Sequence, residues 1–419
     1  MYLKNRILHL SRTDINLSKL KLHSSRLWAS LYFFFNSAGI KSGLLYTNLL
    51  TPFLYVWLIK KRQGPVLWPL LLFLLPFDLI HIWNGIEWKS FVVSNLLFIS
   101  TYIFVQCARL FVLEQHIGEV FKHILTWNMV FVFCAVLLFF TPYKEVLWYK
   151  NKFTQDVDQF YRLALLTFEA SYYALLFAPI ALYYLLKLLL GQNQTSAFSI
   201  LFMIGVPLLL SLSVGVIAAI AISLICFYVF NWQLLLTKKS TFSITLFALL
   251  SLSFVLLLLM IFYPDNALFI RIQNIFSGVD SSTRGRTTDS FGIAWKVANE
   301  RSIWFGSGLG QVKVLAHDIV KRYYNYWGDL DVVRIPNAVA ETLAIFGIWG
   351  LVIRFGLIFY LFFKTRVLAN HYQTAVFIFI FVYQFTVSYI TNVVEYMAWI
   401  LAFSHCFPQF DVVRLRDKV

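Results

Sequence analysis

The chain is short of charge. Asp, Glu, Lys and Arg make up only 13% of its 419 residues, against 60% hydrophobic residues, and the mean hydropathy is +0.72. A single water-soluble domain is excluded, because one aqueous core cannot hide so much apolar surface. Acidic residues are scarcer than basic ones, 20 against 35, giving a net charge of +15. That excess does not imply nucleic acid, since it sits in short loops and at the two ends of the chain, where anionic lipid headgroups attract it. Cysteine is scarce too: Cys107, Cys134, Cys226 and Cys406 all fall inside apolar runs without metal-ligand spacing. Neither a disulfide framework nor a zinc site is indicated. The chain has no phosphate-cradling nucleotide loop and no dinucleotide fingerprint, so ATP is not expected as an energy source. It also lacks the internal repeat from which many transporters are built. The first 26 residues carry Lys4, Arg6, Arg12, Lys19, Lys21 and Arg26 but no apolar stretch ending in a small-residue cleavage site. A cleaved signal peptide is therefore not expected.

What the chain has instead is apolar runs. A bilayer core takes about 20 apolar residues per helical span, and such runs fall near 27–42, 44–60, 66–83, 90–112, 124–142, 170–190, 197–211, 213–236, 241–263, 338–363, 373–390 and 393–410. The expected fold is all-α: a polytopic membrane protein of about twelve transmembrane helices. Basic residues in short loops mark the cytoplasmic side. Threading from a cytoplasmic start places Lys60-Lys61-Arg62, Lys238-Lys239, Lys364-Thr365-Arg366 and Arg414 to Lys418 all on that side. The expected organisation is a cytoplasmic segment 1–26, spans one to nine over 27–263, a large external segment 264–337, spans ten to twelve over 338–410, and a cytoplasmic tail 411–419.

The external segment balances nine Lys and Arg against seven Asp and Glu. Ile270, Ile272, Ile275 and Phe276 suit a short helix on the bilayer surface. A polar stretch 277–290 follows, then a helix over 289–300 with Trp295 and Val297 on a weak apolar face. Phe305 to Gly310, reading FGSGLG, either lets backbone approach a partner closely or is an ordinary loop. Tyr323-Tyr324-Asn325-Tyr326-Trp327 suits either the membrane interface or stacking on sugar rings.

Ionisable residues supply the candidate chemistry. In Ser282 to Asp289, reading STRGRTTD, Arg284 and Arg286 are two permanent cations whose forks match phosphate oxygens. The plain alternative is a solvated loop paired with Asp280 or Asp289. Glu169 stands at the mouth of a span, as a general base, a helix cap or a partner for Arg162. Glu341 lies one turn inside the tenth span, where burying an ionisable group is costly and its presence points to function. Arg354 lies deeper and is expected to pair internally or snorkel. Asp78, His81, Glu169, Arg284, Arg286, Arg334, Asn337, Glu341 and Glu395 all thread to one side of the membrane, with no metal cage and no Ser-His-Asp arrangement among them.

Three stretches resemble the O-antigen ligase and polymerase superfamily, bacterial membrane glycosyltransferases that act on undecaprenyl-linked glycans at the periplasmic face. Ser281 to Gly310 is similar to that family's arginine, short helix and glycine-rich end; PNAVAETLAIFGIWGLV, from Pro336, is similar to its His-Asn span with spaced glycines; and EASYYALLFAP, from Glu169, resembles its E-P-S-x-x-A stretch. The chain departs from the pattern twice. Pro336 stands where ligases carry histidine, and Ser213-Val214-Gly215 stands where many members read S-R-G. Both departures favour a polymerase over a ligase. The resemblance implies transfer of a growing glycan from undecaprenyl pyrophosphate onto a lipid-linked repeat unit, in an O-antigen, capsule or exopolysaccharide pathway of the bacterial inner membrane. The expected partners are the lipid-linked oligosaccharide, membrane lipid and a chain-length regulator, with no cofactor and no metal. In this reading Arg284 and Arg286, with Arg334, hold the pyrophosphate; Glu169, or in second place Glu341, takes the acceptor proton; and His81, Asn337 and Glu395 line the site. A ligase onto lipid A core and a transporter of lipid-linked oligosaccharide are the alternatives.

Overall fold

The computed structural model describes residues 46–60, 67–150, 161–192, 196–231, 285–286, 288–324, 335–386 and 390–416. The apolar runs at 27–42 and 241–263 lie outside the described residues, as does the surface helix expected over 270–276. Each of the other runs forms a helix. These are α1 (Tyr46–Lys60), α2 (Trp68–Trp83), α3 (Trp88–Glu114), α4 (Ile117–Phe139), α5 (Ala170–Leu189), α6 (Ala197–Ser211) and α7 (Val214–Phe230) in the first part of the chain. Two helices, α8 (Thr288–Asn299) and α9 (Val312–Tyr324), follow, and then α10 (Ala338–Lys364), α11 (His371–Tyr383) and α12 (Val393–Phe403). The protein is membrane-embedded: α3, α4, α5 and α10 are each long and apolar enough to cross a bilayer, and α2, α6, α7, α11 and α12 are shorter apolar helices. Two features were not expected. Helix α9 is one; the other is a short antiparallel pair, β1 (Trp148–Lys150) and β2 (Tyr161–Leu163), which adds a hairpin to the all-α expectation.

Helix α5 is apolar on every face, and such a helix belongs inside a bundle. Its most apolar window is 83% buried, against 28% for that of α10. Tyr173 and Phe177 on α5 and Tyr372, Phe379 and Tyr383 on α11 are among the largest fully buried side chains of the main cluster. The outer helices keep Leu96, Phe133, Leu137 and Leu357 exposed, as surfaces turned toward lipid. A second cluster packs α8 and α9 against α2 and the first half of α10. Helix starts are fixed by side chains that accept the orphan first-turn N–H groups: Glu87 for α3, Asn337 for α10, Asn370 for α11 and Asn392 for α12. Ser90, through its hydroxyl and its N–H, holds the Glu87 carboxyl below its usual range.

Helix α10 is broken. Gly347 has φ 65° and ψ −160°, which is not helical, and only glycine holds that conformation cheaply. An unbroken helix would bond the Ile348 N–H to the Ala344 carbonyl and the Trp349 N–H to the Ile345 carbonyl. Here the segment 303–308 takes over all four groups. Ser307 and Gly308 N–H donate to the Ala344 and Ile345 carbonyls at 2.8 and 3.0 Å, while Ile348 and Trp349 N–H donate to the Ile303 and Trp304 carbonyls at 3.0 and 3.1 Å. Backbone interrupted at membrane depth is tolerated only when protein satisfies it in this way. The FGSGLG stretch is thus a brace, and its glycines are required by close approach: a Cβ on Gly306 would strike the Ile345 carbonyl, and one on Gly310 would strike that of Ser90.

The break also redirects Arg354. Twelve residues of straight helix span about 18 Å, yet the Arg354 Nη1 reaches the Thr342 Oγ1 at 3.3 Å. Its Nη2 donates to Glu395 at 2.6 Å and to Gln384 at 3.0 Å. The expected internal pairing of Arg354 is therefore present, across three helices.

Gly347→Ala is expected to lower the thermal midpoint of the purified protein sharply, since the strained conformation alone costs roughly 1–3 kcal/mol and a Cβ there lies 2.5 Å from the Trp304 backbone. Gly356→Ala, with nothing within 4 Å of its Cβ, serves as the control and should leave the midpoint unchanged or raise it. Equal midpoints for the two variants would contradict the brace.

Candidate functional site

Within STRGRTTD, Gly285 and Arg286 are described and Arg284 lies outside the described residues, as does Arg334. Arg286 is held from both sides. The Asn337 Nδ2 donates to its carbonyl at 2.9 Å. Just beyond it, the Ser290 hydroxyl donates to the Gly285 carbonyl at 2.6 Å, and the Tyr323 hydroxyl on α9 donates to the buried Asp289 carboxylate at 3.2 Å. The described residues of the stretch are therefore fastened to α8, α9 and α10. These anchors hold the backbone on both sides of Arg286.

Arg286 lines a small cleft together with Arg162, Ser171, Ser213, Val214, Gly215, Val216 and Tyr383. Four elements build it. Arg162 comes from β2, Ser171 from the first turn of α5, Ser213 to Val216 from the start of α7, and Tyr383 from the last residue of α11. Glu169 stands at its edge as the residue preceding α5, half-buried, and its carboxylate accepts the Ser171 hydroxyl. Its side chain makes no cap hydrogen bond to α5, so of the roles expected for it, capping is not the one taken.

The other expected residues divide. Asn337 is buried and serves three masters: its Oδ1 accepts the Ala340 N–H at 2.9 Å as the cap of α10, and its Nδ2 donates to the carbonyls of Arg286 and of Phe385, at 2.9 and 2.6 Å. It positions the cleft from behind. The Glu341 carboxylate accepts the Ile390 N–H at 2.6 Å, one turn further along α10. His81 is buried beneath the brace, its Nε2 2.8 Å from the Phe305 carbonyl, and Gly308 packs on its ring. It fastens the 303–310 segment and does not line the cleft. Glu395 differs most from expectation: threaded into an outer turn, it is instead buried in the first turn of α12 in its ion pair with Arg354. Asp78 and His81 each keep one buried polar atom without a hydrogen-bond partner among the described residues.

Sequence reasoning missed Arg162 as part of the site, naming it only as a partner for Glu169. It also missed Ser171 and Tyr383, which sit in apolar runs and carry no pattern of their own. Ser213 had a signal, since it opens the stretch where the resembling family carries arginine.

Asn337→Asp keeps an acceptor for the cap but removes the amide donor. Hydrogen exchange at residues 285–290 should then rise about tenfold, the effect of losing one net hydrogen bond of about 1.4 kcal/mol, with α10 still protected. Unchanged exchange there would mean that Asn337 does not hold the arginine segment. Neither known protein families nor curated protein sequences match the chain, so its chemistry is read from these side chains.

Proposed function

We propose that the protein is a glycan polymerase of a bacterial inner membrane, moving a growing chain from undecaprenyl pyrophosphate onto the terminal sugar of a lipid-linked repeat unit. What supports this is one observation: Arg286 and Ser171, whose hydroxyl donates to the Glu169 carboxylate, come from stretches more than a hundred residues apart and line one cleft. Arg286 is a cation for a leaving phosphate and Glu169 a carboxylate for an acceptor hydroxyl. In the transfer, the acceptor oxygen forms a bond to the anomeric carbon of the donor glycan, with inversion. The bond from that carbon to the pyrophosphate oxygen breaks, its electron pair stays on the pyrophosphate, and the acceptor proton passes to a carboxylate. Arg286 stabilises the charge that develops on the leaving group, the kind of fixed electrostatics that dominates such catalysis. Glu169 takes the proton. Glu341 holds second place for that role, and Arg284 and Arg334 keep the phosphate-binding roles assigned from sequence. The twelve-span topology, the periplasmic placement of 264–337, the cytoplasmic termini and a chain-length regulator as partner belong to the same proposal. A transporter would need a polar path through the bundle, and Arg354, the charge best placed for one, is engaged by Glu395 and Gln384.

In cells, Arg286→Ala should lower polymer formation by roughly 10²–10³-fold, the usual loss on removing one such stabilising group, and leave single-repeat products; unchanged chain lengths would rule out the phosphate role. Glu169→Gln should likewise reduce polymerisation by roughly 10²–10⁴-fold, as for loss of a general base, with protein amount and thermal midpoint held. A normal ladder from well-folded Glu169→Gln would transfer the base role elsewhere.

A further inference from the structure

The side of the bundle made by α2 and the second half of α10 is short. Helix α2 begins at Trp68 and ends at Trp83, both exposed, Trp83 at 90%. Between them Leu71, Leu72, Leu75 and Leu79 are exposed as well. Beyond its break, α10 runs from Trp349 to Lys364, both at the surface, with Val352, Leu357 and Phe363 exposed along the way. Tryptophan and lysine at the ends of an apolar helix settle at the membrane–water interface, the first by its amphipathic ring and the second by its charge. Each pair lies fifteen positions apart in the sequence, which is about 23 Å of helix. Tilting either helix lowers that figure. The Lys364 ammonium does not raise it, since Nζ donates to the Tyr360 hydroxyl at 2.9 Å, one turn back toward Trp349.

The brace holds the two helices at one level. The Arg301 guanidinium donates to the Asn84 carbonyl, directly after α2. Three residues further on, the Trp304 carbonyl accepts the Trp349 N–H at 3.1 Å, with the two indole rings 6.4 Å apart. Trp83 and Trp349 therefore mark one face of the membrane, and Trp68 and Lys364 the other. Helix α11 returns beside α10 from the Lys364 end, through ring contacts of Phe362 with Phe377 and of Phe359 with Phe381. It has 13 residues and α12 has 11, about 20 and 17 Å of helix. A typical hydrocarbon core is about 30 Å thick. Helices α3 and α4, with 27 and 23 residues, keep that length, so the shortfall is confined to one side of the bundle.

We infer that the α2–α10 side is a lipid contact surface fitted to short acyl chains, and that the bilayer beside it thins to about 23 Å. A bilayer of full thickness would press about 7 Å of hydrocarbon onto the polar ends of these helices. Tilting relieves a helix that is too long and makes a short one worse, which leaves the lipid to adapt. Thinning also sets the depth of the cleft. Tyr383, the last residue of α11, lines it, about 18 Å along that helix from His371. In a bilayer of typical thickness the cleft would lie roughly 10 Å beneath the headgroups; beside the thinned side it lies near their level. The inference does not depend on the reaction proposed for that cleft.

Thermal unfolding of the full chain in nanodiscs of dimyristoleoyl-, dioleoyl- or dierucoyl-phosphatidylcholine, one headgroup with chains of increasing length, tests this. The intact protein should be most stable in the dimyristoleoyl lipid, its midpoint falling by several degrees with each longer chain. A maximum in the dioleoyl or dierucoyl lipid, or no dependence on chain length, overturns the inference. Lys364→Leu moves the polar end of α10 on to Arg366 and should narrow the difference between the dimyristoleoyl and dioleoyl lipids. Lys364→Gln, which loses the ammonium but keeps a polar end, should retain the intact difference. If Lys364→Leu keeps it too, the mismatch lies elsewhere on the bundle and the inference falls. If Lys364→Leu does not fold, Trp68→Leu carries the apolar surface of α2 past its anchor: a narrowed difference supports the inference, and an unchanged one overturns it.

Discussion

Four backbone groups hold the architecture in place. Where α10 breaks at Gly347, the Ala344 and Ile345 carbonyls and the Ile348 and Trp349 N–H groups lose their helical partners and are all rebonded by residues 303–308. Left unpaired in a bilayer, each would cost several kcal/mol. The break and the brace are therefore one feature, since neither is stable without the other. His81 holds the brace from below through the Phe305 carbonyl, and Gly310 closes against Ser90 at the start of α3.

From that break the polar groups take their places. The first half of α10 carries Asn337 and Glu341 toward the turn that follows α11, where the Ala338 N–H donates to the Gln384 carbonyl at 3.1 Å. The second half carries Arg354 back under the first, onto Gln384 and Glu395. Removing one partner of a buried ion pair is far more damaging than replacing both, so this pair fixes α10, α11 and α12 in one arrangement. Above it, Asn337 links the start of α10 to the Arg286 carbonyl. The arginine that faces the cleft is thus positioned by the same asparagine that caps the broken helix.

Much of this was legible in the sequence, and the limits have physical reasons. Apolar runs declare themselves by composition, which is why each described run holds a helix, although the helices of the runs 373–390 and 393–410 end at Tyr383 and Phe403. The start of α4 was placed too late, at 124 instead of Ile117, because Gly118, Glu119 and Lys122 dilute its first turns. The break at Gly347 was not legible: AIFGIWG reads as ordinary helix with spaced glycines, and what breaks it is a loop some forty residues earlier in the chain. Glu395 was misplaced for the same reason, since a regular α10 would have kept Arg354 away from it. Helix α9 hid behind its mixed composition, with Lys313, His317, Asp318, Lys321 and Arg322 among its thirteen residues. Arg286 was legible because two arginines around a glycine in the one long polar stretch stand out. Arg162 was not, because its value comes from the α6–α7 turn on which it rests.

The cleft joins these features to chemistry. Arg162 reaches it from a hairpin and Arg286 from a fastened segment, the starts of α5 and α7 adjoin it, and Ser171 on its wall donates to Glu169, the residue before the most buried helix. An enzyme that releases a pyrophosphate while deprotonating a hydroxyl needs both kinds of group at one place. Purified protein in liposomes, supplied with undecaprenyl-pyrophosphate-linked repeat units, decides between chemistry and transport. Chain growth with release of one undecaprenyl pyrophosphate per linkage is the expected result; movement of unextended repeat units across the bilayer, with no new linkage, would contradict it.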